Sequence, residues 1–194
     1  MDINKINESM SYTKDNVSLI NSMVTQVVSE YSEDLDKVMK NIMSEIIGVE
    51  LPAIVTVEKY FVELSGVLYF MCSEVEKLGV YDSLSKLKAQ ETYNNSYLNS
   101  SIPTQTGPGA KKKTVAEITA IAENDSSYDR TVNDIYNRAY KILKSKVSAA
   151  ETMISTLSKI MNHRMQESQL TTTQMSRVLN EDTSPFNKRL WTII

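Results

Sequence analysis

The first part of the chain has apolar residues at the spacing of an α-helix. Between residues 5 and 47 they recur every three or four positions, which keeps them on one side of a helix or of a pair of helices. Gly48 and Pro52 then predict a stop, because glycine suits the C-terminal end of a helix and proline suits the first turn of the next. The apolar positions are Val17, Ile20, Val24, Val27, Tyr31, Leu35, Val38, Ile42 and Ile46.

A second helix is predicted from Pro52 to about Tyr97, again from apolar residues spaced mostly by three or four. Gly79 is expected to kink it or to break it briefly, since glycine weakens a helix interior. Residues 98–113 contain proline and glycine and have no periodicity, so they are predicted to form a polar loop. The apolar stripe of this helix is Val57, Tyr60, Leu64, Val67, Met71, Val75, Leu78, Leu84 and Leu87.

Order returns at Thr114, which forms a capping-box pattern with Glu117 and predicts a short helix from Val115 to Asp125. Polar residues 124–127 can cap a further, long helix that extends from about Ser127 to Asn180. Sustained spacing of this kind favours a coiled-coil partner. Its stripe consists of Val132, Ile135, Ala139, Ile142, Ala149, Met153, Leu157, Ile160 and Met161.

The fold class predicted from these patterns is all-α, because strand-like alternation is hard to find among only five glycines and four prolines. Long antiparallel helices are expected to form a helical hairpin or coiled-coil bundle. An apolar content of 41% is thin for a compact core, so oligomerisation is expected to complete the burial. The expected segments are an amphipathic helical segment (1–48), a hairpin core (52–180) with a polar, basic loop at about 98–113, and a C-terminal tail (181–194).

The net charge of −3 conceals an asymmetry along the chain. Residues 1–83 contain 6 basic and 14 acidic side chains, whereas residues 84–165 contain 12 basic and 7 acidic ones. A basic half in an acidic chain indicates either a polyanionic or acidic partner or an ordinary solvated helix face.

Catalytic and metal chemistry find little support in the sequence. Cys72 is the only cysteine and His163 the only histidine, which argues against a zinc site or a histidine-based triad and makes His163 an expected surface residue. The segment TGPGAKKKT lacks the spacing of a phosphate-binding loop. We therefore expect no enzyme, metal or cofactor.

The expected location is the cytoplasm. The longest apolar run, residues 66–72, is far too short to span a bilayer, and the N-terminus lacks the basic start and apolar core of a signal peptide. A single cysteine also agrees with a reducing compartment.

Nucleic-acid binding is better supported, because lysines bracket a segment that contains tyrosines. Cations neutralise phosphates and aromatic rings stack on bases, which together suffice for sequence-independent binding of single strands. A solvated lysine run is the alternative. The candidate contacts are Lys86, Lys88, Tyr93, Tyr97, Lys111, Lys112 and Lys113, with Arg138 and Lys141 beyond the loop.

Residues 75–168 resemble the UvsY family of phage recombination mediators. The resemblance rests on the order of three elements: Leu87-Lys88-Ala89 followed by Tyr93 and Tyr97, the short helix to Asp125, and the long helix that ends in a basic stretch. It implies a cytoplasmic, ring-forming helical protein that binds single-stranded DNA and helps to load the phage recombinase by displacing the single-strand-binding protein.

The same resemblance implies that Lys88 contacts DNA. Gln90 stands where the family pattern has a second basic residue, and Lys86 or the lysines at 111–113 could supply that charge.

Two other functions remain open on the sequence alone. A helical structural or adaptor protein of a phage particle would explain the long seams and a tail that can dock on a neighbour through Phe186, Trp191, Ile193 and Ile194. That tail can equally be a frayed terminus. A scaffolding coiled coil without any role in nucleic-acid binding is the third possibility.

Overall fold

The computed structural model of the protein describes residues 3–102 and 113–182. All the regular elements in these two ranges are helices, so the all-α prediction is confirmed. Within the same ranges, no helix is both long and apolar enough to cross a membrane. The elements are α1 (Ile3–Ile42), a π-helical turn (Met43–Ile47), α2 (Ile54–Ser101), α3 (Val115–Asp125) and α4 (Ser127–Asp182).

The helix boundaries follow local sequence signals closely. The first helical segment ends at Gly48, whose N–H donates to the carbonyl oxygen of Met43 five residues earlier, at 3.0 Å. The bounds of α3 and the start of α4 coincide with the predicted ones. However, α2 continues to Ser101, beyond its predicted end at Tyr97. The added turn is formed although Asn and Ser have weak helix propensity, and within it the Ser101 hydroxyl donates to the carbonyl oxygen of Leu98 at 2.6 Å.

The chain divides into two compact units. The first combines Met1–Asp36 with Val67–Ala149, and the second combines Lys37–Gly66 with Ala150–Ile194. The core of the first unit draws on all four α-helices. Its buried apolar residues are Val24, Val28, Leu35, Leu68, Met71, Leu78, Ala89, Ile118, Ala122, Ala139 and Leu143.

Polar contacts also join the helices of the first unit. Lys146 of α4 donates to the hydroxyl oxygen of Ser32 at 2.9 Å and forms an ion pair with Asp36 on α1. Ser32 is fully buried, and its hydroxyl also donates to Asp36 at 2.9 Å, so the three side chains form one hydrogen-bonded group.

The second unit contains the end of α1, the π-helical turn, the start of α2 and the last part of α4. Its first two helices are joined by only six residues, 48–53, and contact each other across this connection. The buried Tyr60 hydroxyl donates to Glu45, and this hydrogen bond raises the pKa of Tyr60. Buried apolar residues are Val38, Ile42, Ile46, Val57, Leu64, Ala150 and Leu157.

The predicted apolar stripes need a correction on each of the three long helices. On α1 the predicted Val17 is 48% exposed, and Val28 is buried in place of the predicted Val27. On α4 the buried positions include Leu143 and Ala150, whereas the predicted Ile142 is 43% exposed. Apolar residues at adjacent positions allow two stripes, and the packing partner decides which one is buried. On α2, Leu84 and Leu87 are exposed rather than part of the core.

The break expected at Gly79 does not occur, and α2 continues through it. A Cβ atom at this position would lie 3.2 Å from Cε2 of Tyr140 on α4. Gly79 therefore permits a close approach of the Tyr140 ring. By contrast, a Cβ atom at Gly66, also inside α2, would meet no atom within 4 Å.

These two glycines give a matched pair of substitutions. We expect Gly66→Ala to raise the free energy of unfolding by about 0.5–1 kcal/mol, because alanine favours the helix and restricts the unfolded chain. We expect Gly79→Ala to gain less or to destabilise, because the Tyr140 ring must move. Urea unfolding measures both, and equal gains would contradict the proposed close contact.

The start of α3 predicts a pH dependence. Glu117 accepts from the Thr114 backbone N–H at 2.7 Å, while the Thr114 hydroxyl accepts from the Glu117 N–H at 3.3 Å. The hydrogen bond from the Thr114 backbone, and a second one from the Thr114 hydroxyl to the same carboxylate at 3.1 Å, lower the pKa of Glu117. The stabilisation is therefore complete above the unfolded-state pKa and is lost as pH falls through the lower, folded-state pKa.

We expect the protection of α3 amides against hydrogen exchange to decrease over that acidic range. Glu117→Gln should remove this decrease, because glutamine can still accept a hydrogen bond but does not titrate. The same acid-dependent loss in both proteins would show that another group is responsible.

Candidate nucleic-acid interface

Helices α2 and α4 of the first unit are aligned by a row of polar contacts. Near the middle of α2, the Asp82 carboxylate accepts from the side-chain amides of Asn137 at 3.1 Å and Asn133 at 3.3 Å. Towards the end of α2, the Thr92 hydroxyl donates to Asp129 at 2.6 Å. Residue numbers rise along α2 as they fall along α4, so the two helices are antiparallel in this unit. We call this row the polar seam.

The polar seam places Arg130 against Tyr93. Each of them directly follows a residue of the Thr92–Asp129 hydrogen bond, and the Arg130 guanidinium carbon lies 5.3 Å from the centroid of the Tyr93 ring. Tyr93 also stacks on Tyr97, with ring centroids 6.2 Å apart and an interplanar angle of 26°. The result is a row of one cation and two aromatic rings.

This row borders an open groove of about 290 Å³, here called the Arg130 groove. Exposed Lys86 and Gln90 line it from α2, and Asn133 lines it from α4. The buried Ala89 also lines it, and its small side chain leaves room there. The groove thus combines two cations with an aromatic surface.

Lys88 borders a different groove, of about 350 Å³, which we call the Tyr128 groove. Residues two positions apart point in nearly opposite directions on a helix, so Lys86 and Lys88 lie on different sides of α2. Three tyrosines line the Tyr128 groove, and the Tyr128 side chain is 76% exposed. Lys88 is thus separated from the row formed by Arg130, Tyr93 and Tyr97.

The aromatic floor of the Tyr128 groove is well packed. Tyr81 and Tyr136 stack with ring centroids 5.5 Å apart. Burial raises the pKa of the neighbouring Tyr31 on α1, and Tyr81 and Tyr136 raise it further. These tyrosines therefore contribute to the packing of α1, α2 and α4 in this unit.

The remaining predicted contacts are not brought into either groove. Arg138 and Lys141 are exposed on α4, and Lys113 is exposed immediately before α3. Lys111 and Lys112 lie outside the described residues. Of the sequence candidates, Lys86, Tyr93 and Tyr97 are therefore the ones that the fold groups with Arg130.

Arg130 is the residue that sequence reasoning missed. It is separated from Tyr93 by 37 positions, and only the alignment of the two helices brings them together. The sequence did contain a signal for this alignment: the hydroxyls of Thr92 and Ser96 have the same four-residue spacing as the carboxylates of Asp125 and Asp129. In the structure, Thr92 donates to Asp129 and Ser96 donates to Asp125.

Three aspartates also lie along or beside the polar seam. Asp82, Asp125 and Asp129 all accept hydrogen bonds from uncharged side chains. Lys86 and Arg130 supply the cations that line the Arg130 groove.

His163 is a surface residue, as expected, with a side chain that is 72% exposed and 3.5 Å from Glu167. Across residues 3–102 and 113–182, no group of three or more His, Cys, Asp or Glu side chains could hold a metal ion.

No family model, curated protein or solved structure matches this chain.

Asp82 gives a test of the polar seam. We expect Asp82→Ala to lower the free energy of unfolding by about 1–2 kcal/mol, because it leaves the partly buried amide of Asn137 without its acceptor, whereas Asn133 keeps the Asp82 backbone carbonyl and the Ser85 hydroxyl. Asp82→Asn should cost less, since it keeps one acceptor oxygen. The exposed Asp34 on α1 provides a control, Asp34→Ala, and equal effects of the two alanine variants in urea unfolding would rule out a special role for Asp82.

Proposed function

We propose that this protein binds single-stranded DNA through the Arg130 groove and acts as a recombination mediator of the UvsY type. The observation that supports this proposal most directly is the row of Arg130, Tyr93 and Tyr97 beside Lys86. Sequence-independent binding of single strands requires cations for phosphates and flat rings for bases.

Each side chain of the groove has a separate task in this proposal. Lys86 and Arg130 contact phosphates. The partly exposed Tyr97 extends the stack by one nucleobase, which any of the four bases can provide. Arg130 lies over Tyr93 and holds this ring in place for stacking.

Arg130 also offers an explanation for Gln90, which stands where the family pattern has a basic residue. Gln90 lines the same groove as Arg130, so a cation from α4 lies near the place where the pattern has a basic residue on α2. A positive charge would then lie in the same region of the fold, although it comes from a different position in the sequence.

Two cations per chain give modest affinity, so useful binding requires several copies of the chain on one strand. The mediator role therefore includes a homo-oligomer. By resemblance, its partners are a recombinase and a single-strand-binding protein in the cytoplasm of an infected host cell. Neither an enzymatic activity nor a cofactor is part of the proposal.

Fluorescence anisotropy of labelled oligo-dT over a range of salt concentrations tests the proposal. We expect the dissociation constant to rise with salt, and Arg130→Ala to lower the slope of log K against log salt by about 0.7, the value for one lost phosphate contact on a single strand. Tyr97→Ala should weaken binding by about fivefold or more with little change in slope, because this ring stacks on the nucleobase. The exposed Lys159 on α4 provides a lysine control, Lys159→Ala, which should match the wild type.

Two further variants make finer distinctions. One separates the charge of Arg130 from the stacking of its guanidinium, and the other separates the Arg130 groove from the lysines of the loop. Arg130→Lys should keep the salt slope and lose affinity, because lysine retains the charge without the planar guanidinium. Alanine at Lys111, Lys112 and Lys113 tests the loop independently. Absence of salt-sensitive binding by the wild type would contradict the proposal and favour an adaptor or scaffold function.

A further inference from the structure

The outer face of α2 in the first unit is apolar although it is exposed. Leu78 on the inner face is fully buried, whereas Leu84 and Leu87 are 56% and 64% exposed. Leu87 lies opposite Leu78 around the helix axis, and Leu84, one turn earlier, also lines the Tyr128 groove beside α4. A helix that is apolar on more than one side is normally covered on each of them. The outer face therefore requires a partner, and the order of its residues indicates which one.

One row of exposed residues on this face is complementary to the same row on a second helix that runs in the opposite direction. Its five members follow each other at seven-residue spacing, which keeps them on one slowly turning line of the helix. In order they are apolar, cationic, apolar, anionic and apolar. They are Phe70, Lys77, Leu84, Glu91 and Leu98.

The adjacent row has the same property. Its members, again seven residues apart and exposed, are polar, apolar, apolar and polar. The midpoint of this row lies between Val80 and Leu87, within one residue of Leu84 at the centre of the first row. Both rows therefore share one centre. The second row consists of Ser73, Val80, Leu87 and Asn94.

We infer that two copies of this chain pair through the outer face of α2, antiparallel, with Leu84 on the two-fold axis. Phe70 then meets the partner's Leu98, and Lys77 meets the partner's Glu91. A parallel pair would place Lys77 against the partner's Lys77, which is repulsive. The two rows therefore favour a second copy of this chain as the partner and an antiparallel orientation of the paired helices.

The exposed area is large enough for a stable pair. Together with the 77% exposed Tyr69 beside it, the apolar residues of the two rows present on the order of 800 Å² per copy, the usual contribution of one partner to a specific interface. Lys77 already pairs with Glu74, but its side chain remains 60% exposed and can also reach a carboxylate of the partner.

Pairing through this face leaves the Arg130 groove open. Tyr93 lies almost opposite the first row around the axis of α2, because it follows Glu91 by two positions. The pair would thus present two grooves to one DNA strand. Only this last consequence rests on the proposed function, and the interface itself can be tested without DNA.

Sedimentation equilibrium of the full chain tests the interface. We expect the wild type to associate in a concentration-dependent way and Leu84→Glu to raise the dissociation constant on the order of 100-fold, because two carboxylates would meet on the axis. Leu170, also an exposed leucine, provides the control Leu170→Glu, which should associate like the wild type. Circular dichroism checks that the variants keep their helix content.

Cysteine pairs test the direction. In a Cys72→Ser background, an equimolar mixture of Phe70→Cys and Leu98→Cys should form a mixed disulfide on oxidation, and neither variant alone should do so. Lys77→Glu and Glu91→Lys should each weaken association at least tenfold, and the double variant should restore it.

Three results would overturn this inference. They are a wild type that remains monomeric at all concentrations, a Leu84→Glu variant that associates normally, and a disulfide that Phe70→Cys forms with itself. Binding of a short oligonucleotide to Leu84→Glu is expected to persist, so failure of the interface and failure of DNA binding can be distinguished.

Discussion

The hydrogen-bonded polar seam between α2 and α4 is the constraint on which the candidate site depends. Apolar seams tolerate sliding, because one leucine replaces another after a full repeat. The contact of Asp82 with Asn137 has no equivalent after such a shift, because the residues seven positions from Asp82 are Val75 and Ala89. A buried or half-buried polar group without its partner destabilises the alternative alignments. The seam thus selects one alignment of the two helices.

That single alignment has a chemical consequence. Arg130 covers Tyr93 only because the Thr92–Asp129 bond holds the two helices at this position. A slip of one residue would rotate Arg130 by about 100° around its helix and remove it from the groove. The candidate interface is therefore not a property of either helix alone.

In the first unit, α2 has a different environment on each of three faces. Its pattern of apolar residues is therefore hard to assign to a single face. One face packs in the core, a second lines the Arg130 groove, and a third presents the apolar rows around Leu84. Apolar residues on two opposite faces produce a weak amphipathic contrast. This is why Leu84 and Leu87 fit the three-to-four spacing of the core stripe although they lie on the outer face.

Local interactions made the helices of this chain predictable from the sequence. The capping box at Thr114, the stop at Gly48 and the start of α4 at Ser127 depend on residues within one or two turns, so their signals are contained in the sequence nearby. Tertiary packing decided the rest. It selected Leu143 rather than Ile142 for burial, made Gly79 a contact point for Tyr140, and paired Arg130 with Tyr93 across 37 positions. These outcomes depend on the alignment of two distant helices, and no local periodicity specifies that alignment.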